Sequence, residues 1–168
     1  MPKTIRPLQE ADLEPLKTFA DMAIGSGYFT LDELKEKYKQ SQKNGLTTSF
    51  LLISEDEKSI EGLRLSFPPG NWSKGKGAKL SSHLWKVPVN DVGYFQSLFV
   101  HPKLTGQGWG QKLSQASIDV MKKLGAKAIV CHSWVESPGN SSNKYLLSMG
   151  FESVAKYPLY WKDVDYEC

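Results

Sequence analysis

Residues 104–114 read LTGQGWGQKLS, with Gly106, Gly108 and Gly110 at alternate positions. Before them stands the apolar run VGYFQSLFV (92–100), whose composition predicts a buried strand. After them Leu113, Ala116, Ser117, Val120, Met121 and Leu124 recur at helical spacing up to Gly125, which predicts an amphipathic helix with a glycine stop. A strand, a glycine turn and a helix make an anion site. The first-turn amides of the helix lack internal partners, the helix dipole adds positive potential, and glycine admits positive φ and close approach.

The elements on either side alternate in type. TIRPL (4–8) predicts a strand and EADLEPLKTFADMAI (10–24) a helix, interrupted by GSGYF (25–29). Thr30 and Glu33 have capping-box spacing at the head of a second helix that carries Leu31, Leu34 and Tyr38 on one face. TSFLLIS (48–54) and IEGLRLSF (60–67) predict two strands around EDEKS. Past the quoted helix, KAIVCHSW (127–134) predicts a strand, SSNKYLLSM (141–149) a short helix, and FESVAKYPLYW (151–161) a last strand. No repeat or linker divides the chain, so residues 1–168 form one α/β domain. The last strand's YPLYW is either core or a surface for a partner, and the protein is a monomer or a homodimer.

Composition narrows the function classes. The net charge is +3, and of 21 basic side chains only Arg6 and Arg64 are arginine, which speaks against a nucleic-acid partner. No stretch approaches the roughly eighteen apolar residues of a membrane span, and MPKTIRPLQE lacks a signal peptide's hydrophobic core, so a cytoplasmic location is expected. Cys131 lies in an apolar run, and Cys168 is either a frayed terminus or the cut end of a longer chain. His83, His101 and His132 are scattered, and no metal site is expected. The segment Pro68–Asn90 holds four lysines, two tryptophans and no acid; its length suits either an ordered flap or a disordered surface excursion, and the tryptophans favour the flap.

Three ligand classes use such a turn. A Walker-type loop needs Gly-Lys-Ser/Thr after four spacers from Gly106, where Gln111 stands. A dinucleotide fingerprint needs a sixth-position glycine, and Gln111 fills that position too. The run LFVHPKLTGQGWGQKL (98–113) instead resembles motif A of the GCN5-related N-acetyltransferase (GNAT) superfamily, Arg/Gln-x-x-Gly-x-Gly/Ala, with Thr105 at the Arg/Gln position and Gly108 and Gly110 at the glycines. NSSNKYLLSMGF (140–151) resembles the family's last helix and Gly-Phe turn, and the order of elements over residues 4–161 agrees.

This resemblance implies a mixed, mostly antiparallel sheet flanked by helices, with a splay between its two central parallel strands. It implies acetyl-CoA as co-substrate, no metal, and the primary amine of a small molecule as acceptor. Amides of Gln107, Gly108, Trp109 and Gly110 would hold the pyrophosphate, with Thr105, Gly106 and Gln111 at the edges. The edge at Leu98, Phe99 and Val100 would pair with the pantetheine arm, and Asn140 or Asn143 would hydrogen-bond the cofactor.

Acetyl transfer needs a neutral amine, and an alkyl amine has a pKa near ~10, so a base must take its proton. The thioester oxygen needs a preorganised donor, for which the Val100 amide is placed. Many relatives carry Glu where Gln96 stands, and a tyrosine acid where Leu146 stands. The base candidates are therefore Glu136, then His132, and the acid candidate is Tyr145, turned about 100° from Leu146 on a helix. A non-catalytic acyl-CoA-binding module is the alternative reading. Lysines of 68–90 favour an acceptor bearing carboxylate or phosphate, serve the CoA 3′-phosphate, or solvate a loop.

Overall fold

The computed structural model describes residues 2–56, 58–72, 87–131, 133–134, 146–152, 156–161 and 164–167. Side-chain surroundings are described for these as far as residue 152, except 133–134. Strands β1 (Lys3–Pro7), β4 (Phe50–Ser54), β5 (Ile60–Phe67), β6 (Val92–Val100) and β7 (Ala128–Cys131) form one sheet in the order β1-β4-β5-β6-β7. Every neighbouring pair is antiparallel except β6 with β7, which is parallel. Helices α1 (Leu13–Ala23) and α2 (Leu31–Gln40) contribute to one core, and α3 (Trp109–Lys123) to the others. Among the described residues, no helix is long and apolar enough to cross a membrane.

Local chemistry sets the element ends. Thr30 Oγ1 accepts from the Glu33 amide at 3.1 Å, and the Glu33 carboxylate accepts from the Thr30 amide at 3.3 Å, closing the capping box at the head of α2. The first predicted helix opens instead with a 3-10 turn, Glu10–Asp12, before α1. Asp12 is engaged there. Its carboxylate accepts both Arg6 nitrogens, at 2.7 and 2.8 Å, and the Gln9 amide at 2.8 Å, tying β1 to α1. A hairpin of β2 (Gln42–Lys43) and β3 (Leu46–Thr47) turns through Asn44 and Gly45, both at positive φ. Asn-Gly is a strong hairpin signal, and the sequence reading left these residues unassigned.

The apolar alternation of β4 and β5 divides two layers. Leu51, Ile53, Leu63, Leu65 and Phe67 face a core with Leu13, Leu16, Phe19 and Leu34. Phe50 and Leu52 face α3 through Leu113. The helix also docks through small polar residues. Buried Ser117 donates to the Thr48 carbonyl at 2.7 Å and lies 2.6 Å from Ser66 Oγ, so the hydroxyls that let α3 approach β5 are hydrogen-bonded as they are buried. Trp72 is buried, donates its indole N–H to the Val92 carbonyl at 2.6 Å and stacks on Tyr94, which anchors the start of the Pro68–Asn90 segment; residues 73–86 lie outside the described residues.

Two predicted strands differ from expectation. KAIVCHSW (127–134) does not run as one strand. β7 pairs with β6, whereas β8 (Ser133–Trp134) pairs with β10 (Val164–Glu167) in a second, three-stranded sheet ordered β8-β10-β9. The last predicted strand, β9 (Lys156–Trp161), is followed by β10, which pairs with it antiparallel; Cys168 lies outside the described residues. Pairing with β10 supplies β8 with backbone partners away from β6.

Candidate functional site

The change of partner by β8 leaves an edge. Val92–Phe95 of β6 pair with Ala128–Cys131 of β7, and no pairing with β7 extends to Gln96–Val100 among the described residues. Opposite β5, Leu65 faces Ser97 and Ser66 faces Phe95, so exposed Gln96 is the extra residue of a β-bulge at the point where the strands part. The His101 amide donates to the Glu61 carbonyl at 2.7 Å. Antiparallel alternation then aims the Phe99 amide at β5 and the Leu98 and Val100 amides at the open edge.

The glycine turn stands at the end of that edge. The 3-10 turn Pro102–Leu104 is capped by His101, whose Nδ1 accepts from the Lys103 amide at 3.2 Å. Gly106 and Gly108 take φ of 81° and 83°, and Gly108 is the N-cap of α3. The Lys112 amide makes a helical bond to the Gly108 carbonyl at 3.2 Å, so the amides of Trp109, Gly110 and Gln111 precede the helical ladder. Gly110 serves close approach: a Cβ there would lie 3.1 Å from Leu98 Cδ2. Thr105 through Gly108 are exposed, the first turn of α3 carries no acid, and Lys112 Nζ stands 4.4 Å from the Trp109 ring centroid. The turn offers positive potential and unengaged donors to an anion.

Side chains around the turn are committed elsewhere. Gln107 donates to the Lys103 carbonyl at 3.3 Å and Gln111 to Ser148 Oγ at 2.6 Å, joining the start of α3 to helical residues 146–148. Leu146 is buried and packs with Phe95 and Met121. On the opposite face of β6, Tyr28 of the α1–α2 connection meets Phe99 edge-on at 5.6 Å. Burial pushes its phenol pKa up, and a hydrogen bond with Ser97 partly offsets this.

The structure thus brings together Leu98, Phe99, Val100, Thr105, Gly106, Gln107, Gly108, Trp109, Gly110 and Gln111. His132, Glu136, Asn140, Asn143 and Tyr145 lie outside the described residues. Two residues near the edge escaped the sequence reading. Tyr28 was hidden in a glycine-rich connection, and Arg64 in a strand whose alternation makes an arginine look like its solvent face.

A glycine turn at a helix N-terminus, running into an open strand edge, defines an α/β domain suited to an extended ligand with an anionic end. The chain belongs to the acetyltransferase (GNAT) family, whose model matches residues 18–151. Among solved structures it is similar to the ribosomal-protein-S18-alanine N-acetyltransferase from Escherichia coli, at 15% identity and a TM-score of 0.70, over 99% of this chain and 90% of that one. An N-acetyltransferase from Staphylococcus aureus Mu50 is similar at 17% identity and a TM-score of 0.72, over 99% and 96%. So is the aminoglycoside N-acetyltransferase AAC(6')-Iy with a bisubstrate analogue, at 20% and 0.65, over 96% and 99%. A sequence search of the curated proteins finds no match.

Proposed function

We propose that the protein transfers the acetyl group of acetyl-CoA to the primary amine of a small acceptor, by direct attack while both are bound. The observation that carries this reading is the β6 edge Gln96–Val100, which has no strand partner on that side among the described residues and ends at the exposed Gly106–Gly108 turn. Similar folds come from N-acetyltransferases of ribosomal-protein-S18 alanine and of aminoglycosides, which supports an amine acceptor.

The turn and edge fit acetyl-CoA, which supplies an activated acetyl thioester when bound. Amides of Gln107, Gly108, Trp109 and Gly110 hold the pyrophosphate, bordered by Thr105, Gly106 and Gln111. Leu98, Phe99 and Val100 pair with the pantetheine arm, and the Val100 amide, turned to the open edge, donates to the carbonyl oxygen as charge develops there. Exposed Gln96 cannot serve as a base. Glu136, with His132 second, accepts the amine proton, Tyr145, one residue before apolar Leu146 in sequence, is the proton donor, and Asn140 or Asn143 bonds the cofactor. The four lysines of residues 68–90 favour an acceptor with a carboxylate or phosphate.

Gln96 and Leu146 favour a second reading, a non-catalytic acyl-CoA-binding module. Calorimetric titration with acetyl-CoA, followed by thiol release across a panel of amines, separates the two. Saturable one-to-one binding with turnover, lost in Glu136→Gln while binding persists, supports the enzyme. Binding without turnover on any amine supports the module, and no binding at millimolar ligand by folded protein overturns both.

A further inference from the structure

The two surfaces of the candidate site lie on different elements. The anion turn is the head of α3, whereas the open edge belongs to β6. In the acetyltransferase reading one covalent molecule spans both, so their separation must match it. Apolar burial is non-directional and does little to fix how far a helix sits along a sheet, while a hydrogen bond fixes a direction and a distance.

Buried hydroxyls between α3 and the sheet supply that restraint. Ser114 and Ser117 lie about one turn apart on α3, and both are fully buried. Ser117 donates to the Thr48 carbonyl at 2.7 Å and stands 2.6 Å from Ser66 Oγ, which reaches the same carbonyl. Ser114 Oγ accepts from Arg64 Nη1 at 3.3 Å. The far side of the contact is itself held. Thr48 Oγ1 donates to the Ser66 carbonyl at 2.7 Å, and the Ser66 amide donates to Ser49 Oγ at 3.0 Å. Alanine at 117 would let the helix approach as closely, with better helix propensity and no buried hydroxyl to satisfy.

The place of this contact explains the hydroxyls. Ser66 lies opposite Phe95 at the register shift that makes Gln96 the bulge residue, and Phe95 is the last β6 residue paired with β7. The β4–β5 ladder ends at Phe50 and Arg64, two residues short of Ser66, so side chains of Thr48 and Ser49 hold β5 where β4 no longer pairs with it. Ser117 is thus tied to the sheet at the level where the open edge begins. About two turns earlier in α3, Gly110 lies against Leu98 of that edge, where a Cβ would stand 3.1 Å from Leu98 Cδ2. A shift of the helix along its axis would change the spacing between turn and edge.

We propose, resting on the acetyltransferase reading, that Ser117 and Ser66 are positioning residues whose hydroxyl contact sets the spacing between the phosphate-holding turn and the pantetheine-holding edge. Neither touches the ligand. Losing the contact leaves each half-site able to bind its own part, and costs coenzyme A the advantage of engaging both at once.

The test compares the whole ligand with its parts. Calorimetry measures coenzyme A, and NMR titration measures the fragments ADP and pantetheine, on wild type, Ser117→Ala, Ser66→Ala and the double variant. Ala20→Gly, a change in the core on the other face of the sheet, is the control for lost stability, and thermal unfolding checks every fold. Coenzyme A should bind about tenfold more weakly to each serine variant, and no more weakly to the double variant than to either single one. Both fragments should bind all of these proteins as they bind wild type, and Ala20→Gly should lose stability without losing affinity for coenzyme A. Unchanged affinity for coenzyme A in the folded serine variants overturns the proposal and leaves the acetyltransferase reading intact. So does an equal loss for a fragment, which would mean a distorted half-site, or wild type that binds neither fragment. If neither single variant folds, the hydroxyls serve the fold alone and the proposal falls. Failure of wild type to bind coenzyme A removes both.

Discussion

Gly108 and Gly125 provide a matched pair for testing the anion turn. They flank α3 with φ of 83° and 85°, and a Cβ at either meets no described atom within 4 Å. Alanine therefore costs each position backbone strain alone, about 1–2 kcal/mol for the left-handed region. The stiffer unfolded chain returns about 0.4–1 kcal/mol, leaving a net loss near 1 kcal/mol. In a domain of 168 residues that lowers Tm by about 2–4 °C. The two variants should thus be equally destabilised. They should differ in binding, because relief of strain at Gly108 rotates the peptide leading into the first-turn amides. Losing one hydrogen bond to a charged ligand group costs about 1.5–3 kcal/mol, so affinity for coenzyme A should fall at least about tenfold in Gly108→Ala. Gly125→Ala should bind as wild type. Calorimetry paired with thermal unfolding reads both quantities. Equal affinity in the two variants, with matched losses of stability, would refute the assignment of the pyrophosphate to this turn.

Gly93→Ala would drive a Cβ into Met121 Sδ in the buried contact of β6 with α3, and should cost about 1–3 kcal/mol in chemical denaturation. Combining it with Met121→Ala should give less than the sum of the two losses, and strict additivity would contradict the contact. Burial raises the Asp12 carboxyl pKa, but the Arg6 and Gln9 hydrogen bonds outweigh it and hold the group below the ordinary carboxylate range. A depressed pKa contributes stability above the unfolded value of ~3.9 that is lost as pH falls through the folded value. Asp12→Asn should therefore be less stable than wild type at pH 7, with the gap closing below about pH 4 in urea titrations. A gap that does not narrow at all as pH falls below about 4 would mean that packing, not charge, is lost.

Local patterns of the chain were enough for much of this fold. β6 spans Val92–Val100 as its apolar run predicts, and α3 buries Leu113, Ser117 and Met121 as the 3.6 period requires. The box of Thr30 and Glu33 and the positive φ of Gly106, Gly108 and Gly125 depend on neighbours within a few residues, so they too were readable. The glycine turn followed from the same proximity, since a helix's own first amides make its anion site.

Partner choice between distant segments was not readable. Nothing inside KAIVCHSW marks the residue at which the strand leaves β6 for β10, because that switch depends on a hairpin more than twenty residues later. The β-bulge at Gln96 is likewise a property of two strands in register, not of either alone. Arg64 is the sharpest case. In sequence it is a polar residue between two leucines, which alternation assigns to solvent, whereas α3 covers that face and buries it over Phe95. Short-range periodicity determined the elements and the glycine turn, whereas pairing with the distant β10 decided where the strand leaves β6, and the packing of α3 across the sheet decided that Arg64 is buried against Phe95.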